Sequence, residues 1–286
     1  MDYVNPDALV STEWLEAHLS TPDLRIVDGS FKMPGVMPTV QEDYRARHIP
    51  GAVFFDIDEI SAEDTPLPHM LPPPEKFAAR VRKLGLGDGH RIVVYDAAGV
   101  MGAARVWWMF RVFGHQDVAL LDGGLAKWLA EGRPVDDLPP TPRERHFTAK
   151  VNTMMVRDKG QMLANLGTRR EQVVDARAKV RFEGAAPEPR AGLRSGHIPG
   201  SRNLPYDQLI NRATNTFLPA DALAACFEAA GIDRAKPVVA SCGSGVSACV
   251  LALGLHLLGH RDVAIYDGSW SEWGLPGATP VETGPS

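Results

Sequence analysis

Short apolar runs alternate along this chain with stretches in which apolar residues recur every three or four positions. Ser11 is placed to cap a helix running through Trp14, Leu15 and Leu19, and an apolar strand follows from Leu24 to Val27. After His48-Ile49-Pro50-Gly51 comes a second short strand, Ala52 to Phe55. Arg91 to Tyr95 reads as a buried central strand, a helix carries Trp107, Phe110 and Val112, and Val118 to Leu121 is one more strand. Apolar runs of this length separated by helical stretches predict a mainly parallel sheet flanked by helices on both faces.

The pattern is then written a second time. Residues 91–128 lie without a gap over residues 236–273: Gly114-His115 falls on Gly259-His260, Asp122-Gly123 on Asp267-Gly268, and Trp128 on Trp273. Upstream, Ile26-Val27-Asp28 matches Val173-Val174-Asp175, and His48-Ile49-Pro50-Gly51 returns as His197-Ile198-Pro199-Gly200. Ordered matches of this kind indicate a tandem duplication. Between the copies, Pro139-Pro140-Thr141-Pro142 and the charged residues after it mark a linker, because proline breaks helices and favours extended chain. The expectation is an α/β protein of two similar domains, residues 1–140 and 154–286, joined by a linker over 141–153.

Composition narrows the class. A chain of 286 residues, 44% hydrophobic, has room for about two domains, each with its own core. Lys+Arg 30 against Asp+Glu 35 gives a net charge of −5 with the signs interspersed, so no nucleic-acid partner is expected. No apolar run approaches the ~20 residues a membrane span requires, and the first residues show no basic stretch followed by an apolar one. Three cysteines cannot all pair within one chain, which favours a reducing compartment, the cytoplasm, and a working thiol.

The difference between the copies locates that thiol. After its central strand the second copy reads Cys242-Gly243-Ser244-Gly245-Val246-Ser247, where the first has small residues and no cysteine. The ungapped register puts Ala97 opposite Cys242, and a shift of one residue would put Asp96 there. Ligands of parallel sheets bind beyond the carboxyl ends of the strands, where helix N-termini point. Curled backbone amides and a helix dipole there favour the thiolate, the nucleophilic form of cysteine, provided it can be reached from an opening. Cys226 reads as a core residue. Cys249, on the following helix, is not gathered with histidines at metal-ligand spacing, so no metal is expected. Residues shared by both copies (Asp28 and Asp175, His48 and His197, Trp128 and Trp273) read as structural. The helix from Arg105 to Arg111, with Trp107 and Trp108, reads as interdomain packing.

Taken together, Cys242-Gly243-Ser244-Gly245-Val246-Ser247, Asp267-Gly268-Ser269-Trp270, Arg181-Phe182, Pro187-Glu188-Pro189-Arg190, Phe54-Phe55-Asp56-Ile57-Asp58 and His69-Met70-Leu71-Pro72 resemble the tandem-domain sulfurtransferases of the rhodanese superfamily, most closely the 3-mercaptopyruvate branch. Ser247 stands where that branch usually has threonine, which keeps the hydroxyl. The resemblance implies two rhodanese domains with catalysis in the second and no cofactor. It implies that Cys242 takes sulfur from 3-mercaptopyruvate as a persulfide, releases pyruvate, and passes the sulfur to a thiol acceptor such as thioredoxin, or to cyanide. It also implies substrate clamping by Arg181 and Arg190, and a set of Asp58, His69 and Ser244 with Ser244 nearest the substrate. Asp58 read without the resemblance is a helix cap near Ile60, and His69 a turn residue.

Three rivals differ in chemistry. Thiosulfate as donor keeps the nucleophile, but Gly243 and Ser244 stand where thiosulfate enzymes resemble Cys-Arg-Lys-Gly, which weakens dianion binding. A phosphatase requires a loop ending in arginine to hold the phosphoryl oxygens, and no arginine follows Cys242 before Arg261. A non-catalytic interaction module describes the first copy better than the second.

Overall fold

The computed structural model describes residues 2–33 and 35–285. The first half contains β1 (Leu9–Val10), α1 (Thr12–His18), β2 (Leu24–Asp28), α2 (Val40–Ala46), β3 (Val53–Phe54), α3 (Pro74–Lys83), β4 (Arg91–Tyr95), α4 (Met101–Val112), β5 (Val118–Leu121) and α5 (Gly124–Ala130). The second contains β6 (Val156–Arg157), α6 (Lys159–Thr168), β7 (Gln172–Asp175), α7 (Lys179–Phe182), β8 (Arg202–Asn203), β9 (Ile210–Asn211), β10 (Thr216–Phe217), α8 (Ala220–Ala229), β11 (Val238–Ser241), α9 (Ala248–Leu257), β12 (Val263–Tyr266) and α10 (Ser269–Trp273). Each half builds a five-stranded sheet, in the orders β1-β5-β4-β2-β3 and β6-β12-β11-β7-β8, so strand for strand the two have one topology. Every pairing in both sheets is parallel. The α/β architecture with helices flanking a parallel sheet is the one the apolar runs predict.

The central strands β4 and β11 are apolar along most of their length and buried on both faces, as a covered parallel sheet requires. Ser11 caps α1 as expected, its Oγ accepting from the Trp14 amide at 3.1 Å. Trp128 and Trp273 hold equivalent places, fully buried, with Nε1 donating to the carbonyls of Pro134 and Pro280. One apolar cluster runs through both halves, from Phe77 and Phe110 through Trp107 and Trp108 to Leu251 and Phe227. Across this shared core α4 packs against α9. Residues 141–152 form no strand or helix and lie along the first half: Lys150 and Asn152 donate to the carbonyls of Phe113 and Val112, and Phe147 is buried among Phe77 and Phe110. The opposite exchange occurs at the N-terminus, where Val4 donates to Leu257 and the Asn5 amide to His256 in the second half.

Candidate active site

Cys242 is the first residue past β11, and its loop runs directly into α9. Gly245 has φ +74, and a Cβ there would stand 2.8 Å from the Asp267 carbonyl, so the bend requires glycine. The loop is pinned from behind. Ser269 Oγ accepts from the amides of Cys242 (3.2 Å) and Gly245 (3.1 Å), while Ser271 donates to the Gly243 carbonyl through both its amide and its hydroxyl. Among the described residues, the amides of Gly243, Ser244, Val246 and Ser247 have no acceptor. Free donors around a helix N-terminus are a ready anion cradle.

Sheet register settles what the first copy puts in this place. Asp28 pairs with Tyr95, and its counterpart Asp175 pairs with Ser241. Asp96 therefore stands opposite Cys242, and the ungapped alignment with Ala97 is corrected by one residue: the loop before α4 (96–100) is one residue shorter than the loop before α9 (242–247), and α4 is two residues longer than α9. The Asp96 carboxylate accepts from the amides of Ala98 (3.0 Å) and Gly102 (2.8 Å), and burial pushes its pKa up to about 6.

Above Cys242 the structure gathers residues from both halves. Arg190 Nη2 donates to His69 Nε2 at 3.2 Å and to Ser244 Oγ at 3.4 Å, and its pKa is lowered by burial. His69 Nδ1 lies 2.7 Å from Asp58 Oδ1, close though poorly aligned for a hydrogen bond, and the imidazole holds the Asp58 carboxyl below its ordinary range. No hydrogen bond joins His69 to Ser244 among the described residues, since Arg190 stands between them. Asp58 is not the cap of the turn toward Ile60. Asp56 is, its Oδ1 accepting from the amides of Asp58 and Glu59 at 3.0 and 3.1 Å.

The thiol itself is closed off rather than open. Cys242 is 1% exposed, and a Cβ on its neighbour Gly243 would lie 3.3 Å from Arg181 Nη2 and 3.8 Å from Arg190 Nη1. Both guanidiniums end long, partly exposed side chains. The two guanidiniums thus approach the loop at Gly243, while Ser269 and Ser271 hold its backbone on the other side.

Three supporting residues escape a reading of the sequence. Glu188, its side chain buried, pairs with Arg181 (2.6 Å) and with Arg177 (2.9 Å), and Arg177 in turn grips Asp175 at 2.7 Å. The first copy has Ser30 in place of Arg177, so comparing the copies at this second strand end would have found it. Arg105 reaches from α4 into the second half: Nη1 donates to Asp267 Oδ1 (2.7 Å) and the Gly245 carbonyl (3.1 Å), and Nη2 donates to the His69 carbonyl. The other Asp267 oxygen accepts from the Leu71 amide at 2.7 Å. Burial works against the Arg105 charge, but Asp267 and the neighbouring Cys249 together outweigh it and the pKa is raised.

The remaining cysteines stand apart. Cys249 is buried, its Sγ facing the Gly245 carbonyl at 3.2 Å, and burial pushes its thiol well up. Cys226 is half-buried at the edge of the core rather than within it, because its face of α8 turns toward the Gln208 carbonyl at 3.5 Å. His48 and His197 lie stacked on Tyr44 and Phe182, with Nδ1 at the carbonyls of those same residues.

Comparison with known proteins gives a consistent picture. A sequence profile described as Rhodanese-like domain matches residues 11–131 and again 158–275. The chain is 45% identical to Thiosulfate/3-mercaptopyruvate sulfurtransferase 1, mitochondrial, of Arabidopsis thaliana, over 97% of this chain and 78% of that one. It is 45% identical to Thiosulfate sulfurtransferase of Bos taurus, over 93% and 91%. Among solved structures, the 3-mercaptopyruvate sulfotransferase SseA of Escherichia coli superposes with a TM-score of 0.85 at 38% identity, covering 93% of this chain and 99% of that one.

Proposed function

This chain belongs to the rhodanese family and is a sulfurtransferase of the 3-mercaptopyruvate/thiosulfate type, and from that premise we propose that Cys242 carries the sulfur as a persulfide taken from 3-mercaptopyruvate. The observation that carries the reading is the thiol at the end of β11, among free loop amides and beneath two arginines, in the one copy that has it.

The substrate carboxylate and ketone draw Arg190, and with it Arg181, away from the thiol. A planar guanidinium fork suits both groups. Arg181 is already oriented by Glu188, whereas Arg190 exchanges the neutral partners His69 and Ser244 for a carboxylate. The Cys242 thiolate then attacks the substrate sulfur. An S–S bond forms, the C–S bond breaks, and its electron pair passes to carbon as the enolate of pyruvate. The enolate takes a proton at carbon and leaves as pyruvate. Ser244, released from Arg190, faces that oxygen, and His69 serves the proton transfer with Asp58 holding its Nδ1. A thiol such as that of thioredoxin, or cyanide, attacks the outer sulfur and restores Cys242. Residues 154–286 supply the nucleophile and residues 1–140 supply His69 and Asp58. Three free cysteines suit a reducing cytoplasm.

Thiosulfate is the second donor to weigh, since relatives named for it match as well. The absence of cations at Gly243 and Ser244 favours mercaptopyruvate. Intact mass after incubation with each donor, combined with kcat/KM for each, tests the reading. One added sulfur per chain, absent in Cys242→Ala, and a higher kcat/KM for mercaptopyruvate are expected. A mass gain that persists in Cys242→Ala removes the persulfide, and a clear thiosulfate preference reverses the donor.

A further inference from the structure

Beside the contact between α4 and α9 lies a cavity of about 280 Å³, away from Cys242 and bounded by both halves. Arg111, Arg261, His256, His260 and Trp107 are among its walls, and no carboxylate is among the described residues that line it. The duplication puts Arg111 and His256 at equivalent positions of the two helices, and likewise Gln116 and Arg261, so the cavity sits where the copies face one another.

Arg111 is the unusual group. Its guanidinium stacks over Trp107, 5.0 Å from the ring centroid, and has no ion pair or hydrogen bond among the described residues. Its pKa is lowered by burial alone. Two arginines that are fully buried differ: Arg105 on the same helix has Asp267, and Arg177 has Asp175 and Glu188, and both have raised pKa values. Arg111 is half-buried, and a cation that has lost part of its hydration without gaining a counter-ion is one that an anion in the cavity would stabilise. Arg261 adds a second positive charge at the rim. His256, held down to about 4 by burial and by Arg111, is a neutral imidazole there and can donate or accept a hydrogen bond. The space has room for a small acid.

We propose that this cavity is a binding site for a small oxyanion, a carboxylate or a sulfur oxyanion, held by Arg111 and Arg261 with His256 as a neutral hydrogen-bonding partner. The site is separate from the catalytic cradle, and its occupant braces α4 against α9. Those two helices also hold the active-site loop, α9 by continuing it and α4 through Arg105.

The test uses the full chain and three probes: sulfate, pyruvate and, as a control at matched ionic strength, chloride. Thermal midpoints are measured for wild type, Arg111→Gln, Arg261→Gln and Arg190→Gln, and crystals are soaked in selenate for anomalous scattering. A rise of about 2 °C or more over chloride is expected in wild type, kept in large part in Arg190→Gln, reduced in Arg261→Gln and reduced further in Arg111→Gln, where only the Cys242 cradle still binds the anion. A selenium peak is expected within hydrogen-bond reach of Arg111. A response to sulfate alone assigns the site to sulfur oxyanions, and a response to pyruvate alone assigns it to carboxylates. A full response in Arg111→Gln that vanishes in Arg190→Gln, or selenium only at Arg190, overturns the proposal. Arg261→Gln, a change at the exposed rim, keeps the test decisive if Arg111→Gln fails to fold: an unreduced response there counts against it.

Discussion

Arg105→Met should damage stability and catalysis together, because one guanidinium holds both sides of the candidate site. The side chain is fully buried and donates to Asp267, to the Gly245 carbonyl in the Cys242 loop, and to the carbonyl of His69. Methionine keeps much of the stem volume but leaves the Asp267 carboxylate buried, with the Leu71 amide as its remaining donor. Removing one partner of a buried ion pair costs about 3–5 kcal/mol. The two orphaned carbonyls do not add in full, since they relax with the same loop. Against a typical stability of about 5–15 kcal/mol this is a large loss. Asp267→Asn in the same chain removes the unpaired charge, so the double variant should recover about 2 kcal/mol relative to the sum of the singles. Urea denaturation of the four proteins gives the cycle. In parallel, kcat/KM for mercaptopyruvate should fall about 10- to 100-fold in Arg105→Met, corresponding to about 1.4–2.8 kcal/mol, because Gly245 and His69 lose a common anchor. A cost below about 1 kcal/mol, or strict additivity in the cycle, would refute the reasoning.

Two further outcomes follow from the same geometry. Arg190→Ala and Arg181→Ala should each raise KM for mercaptopyruvate about 10- to 150-fold with little change in the fold, as expected for losing a charged hydrogen bond worth about 1.5–3 kcal/mol; unchanged kinetics in both would remove the clamp. Asp122 is held up to about 6 by burial while accepting a single amide, from Phe217 at 2.9 Å. Its folded pKa lies above the unfolded value, so the wild type loses stability from this group as pH rises from about 4 to 6. Asp122→Asn, which keeps that acceptor, should therefore match wild type near pH 4 and exceed it by up to about 3 kcal/mol above pH 6. Urea midpoints at the two pH values check this, and a difference that does not grow with pH contradicts it.

Periodicity carried the architecture because both sheets are covered on both faces, so their strands are uninterrupted apolar runs. What it could not carry were facts of register and reach. Asp96 and Ala97 differ by one position in an alignment, and only the pairing of Asp28 with Tyr95 and of Asp175 with Ser241 decides between them. Arg105 looks like part of an apolar interface helix, since nothing local says that its guanidinium will meet a carboxylate far along the chain. Arg181 and Arg190 look alike in sequence. In the folded chain Glu188 neutralises one, while the other rests on an imidazole and a hydroxyl.

The two copies also explain why one cradle is suited to turnover and the other is not. At the end of β4 the anion is built in: Asp96 supplies a carboxylate that consumes the amides of Ala98 and Gly102, and it cannot leave. At the end of β11 the equivalent side chain is a thiol, and the amides of Gly243, Ser244, Val246 and Ser247 stay free. Ser269 and Ser271 meanwhile hold the loop from behind, so its shape does not depend on what fills it. On the proposed persulfide route, a ring of donors held in this way would bind a donor's sulfur, stabilise the persulfide and release it without rebuilding the loop at each step. Replacing the built-in carboxylate by a side chain that can take up and surrender an atom is a small change in sequence. In the proposed mechanism it serves catalysis together with Arg181 of α7 and Arg190, whose guanidiniums approach the loop at Gly243.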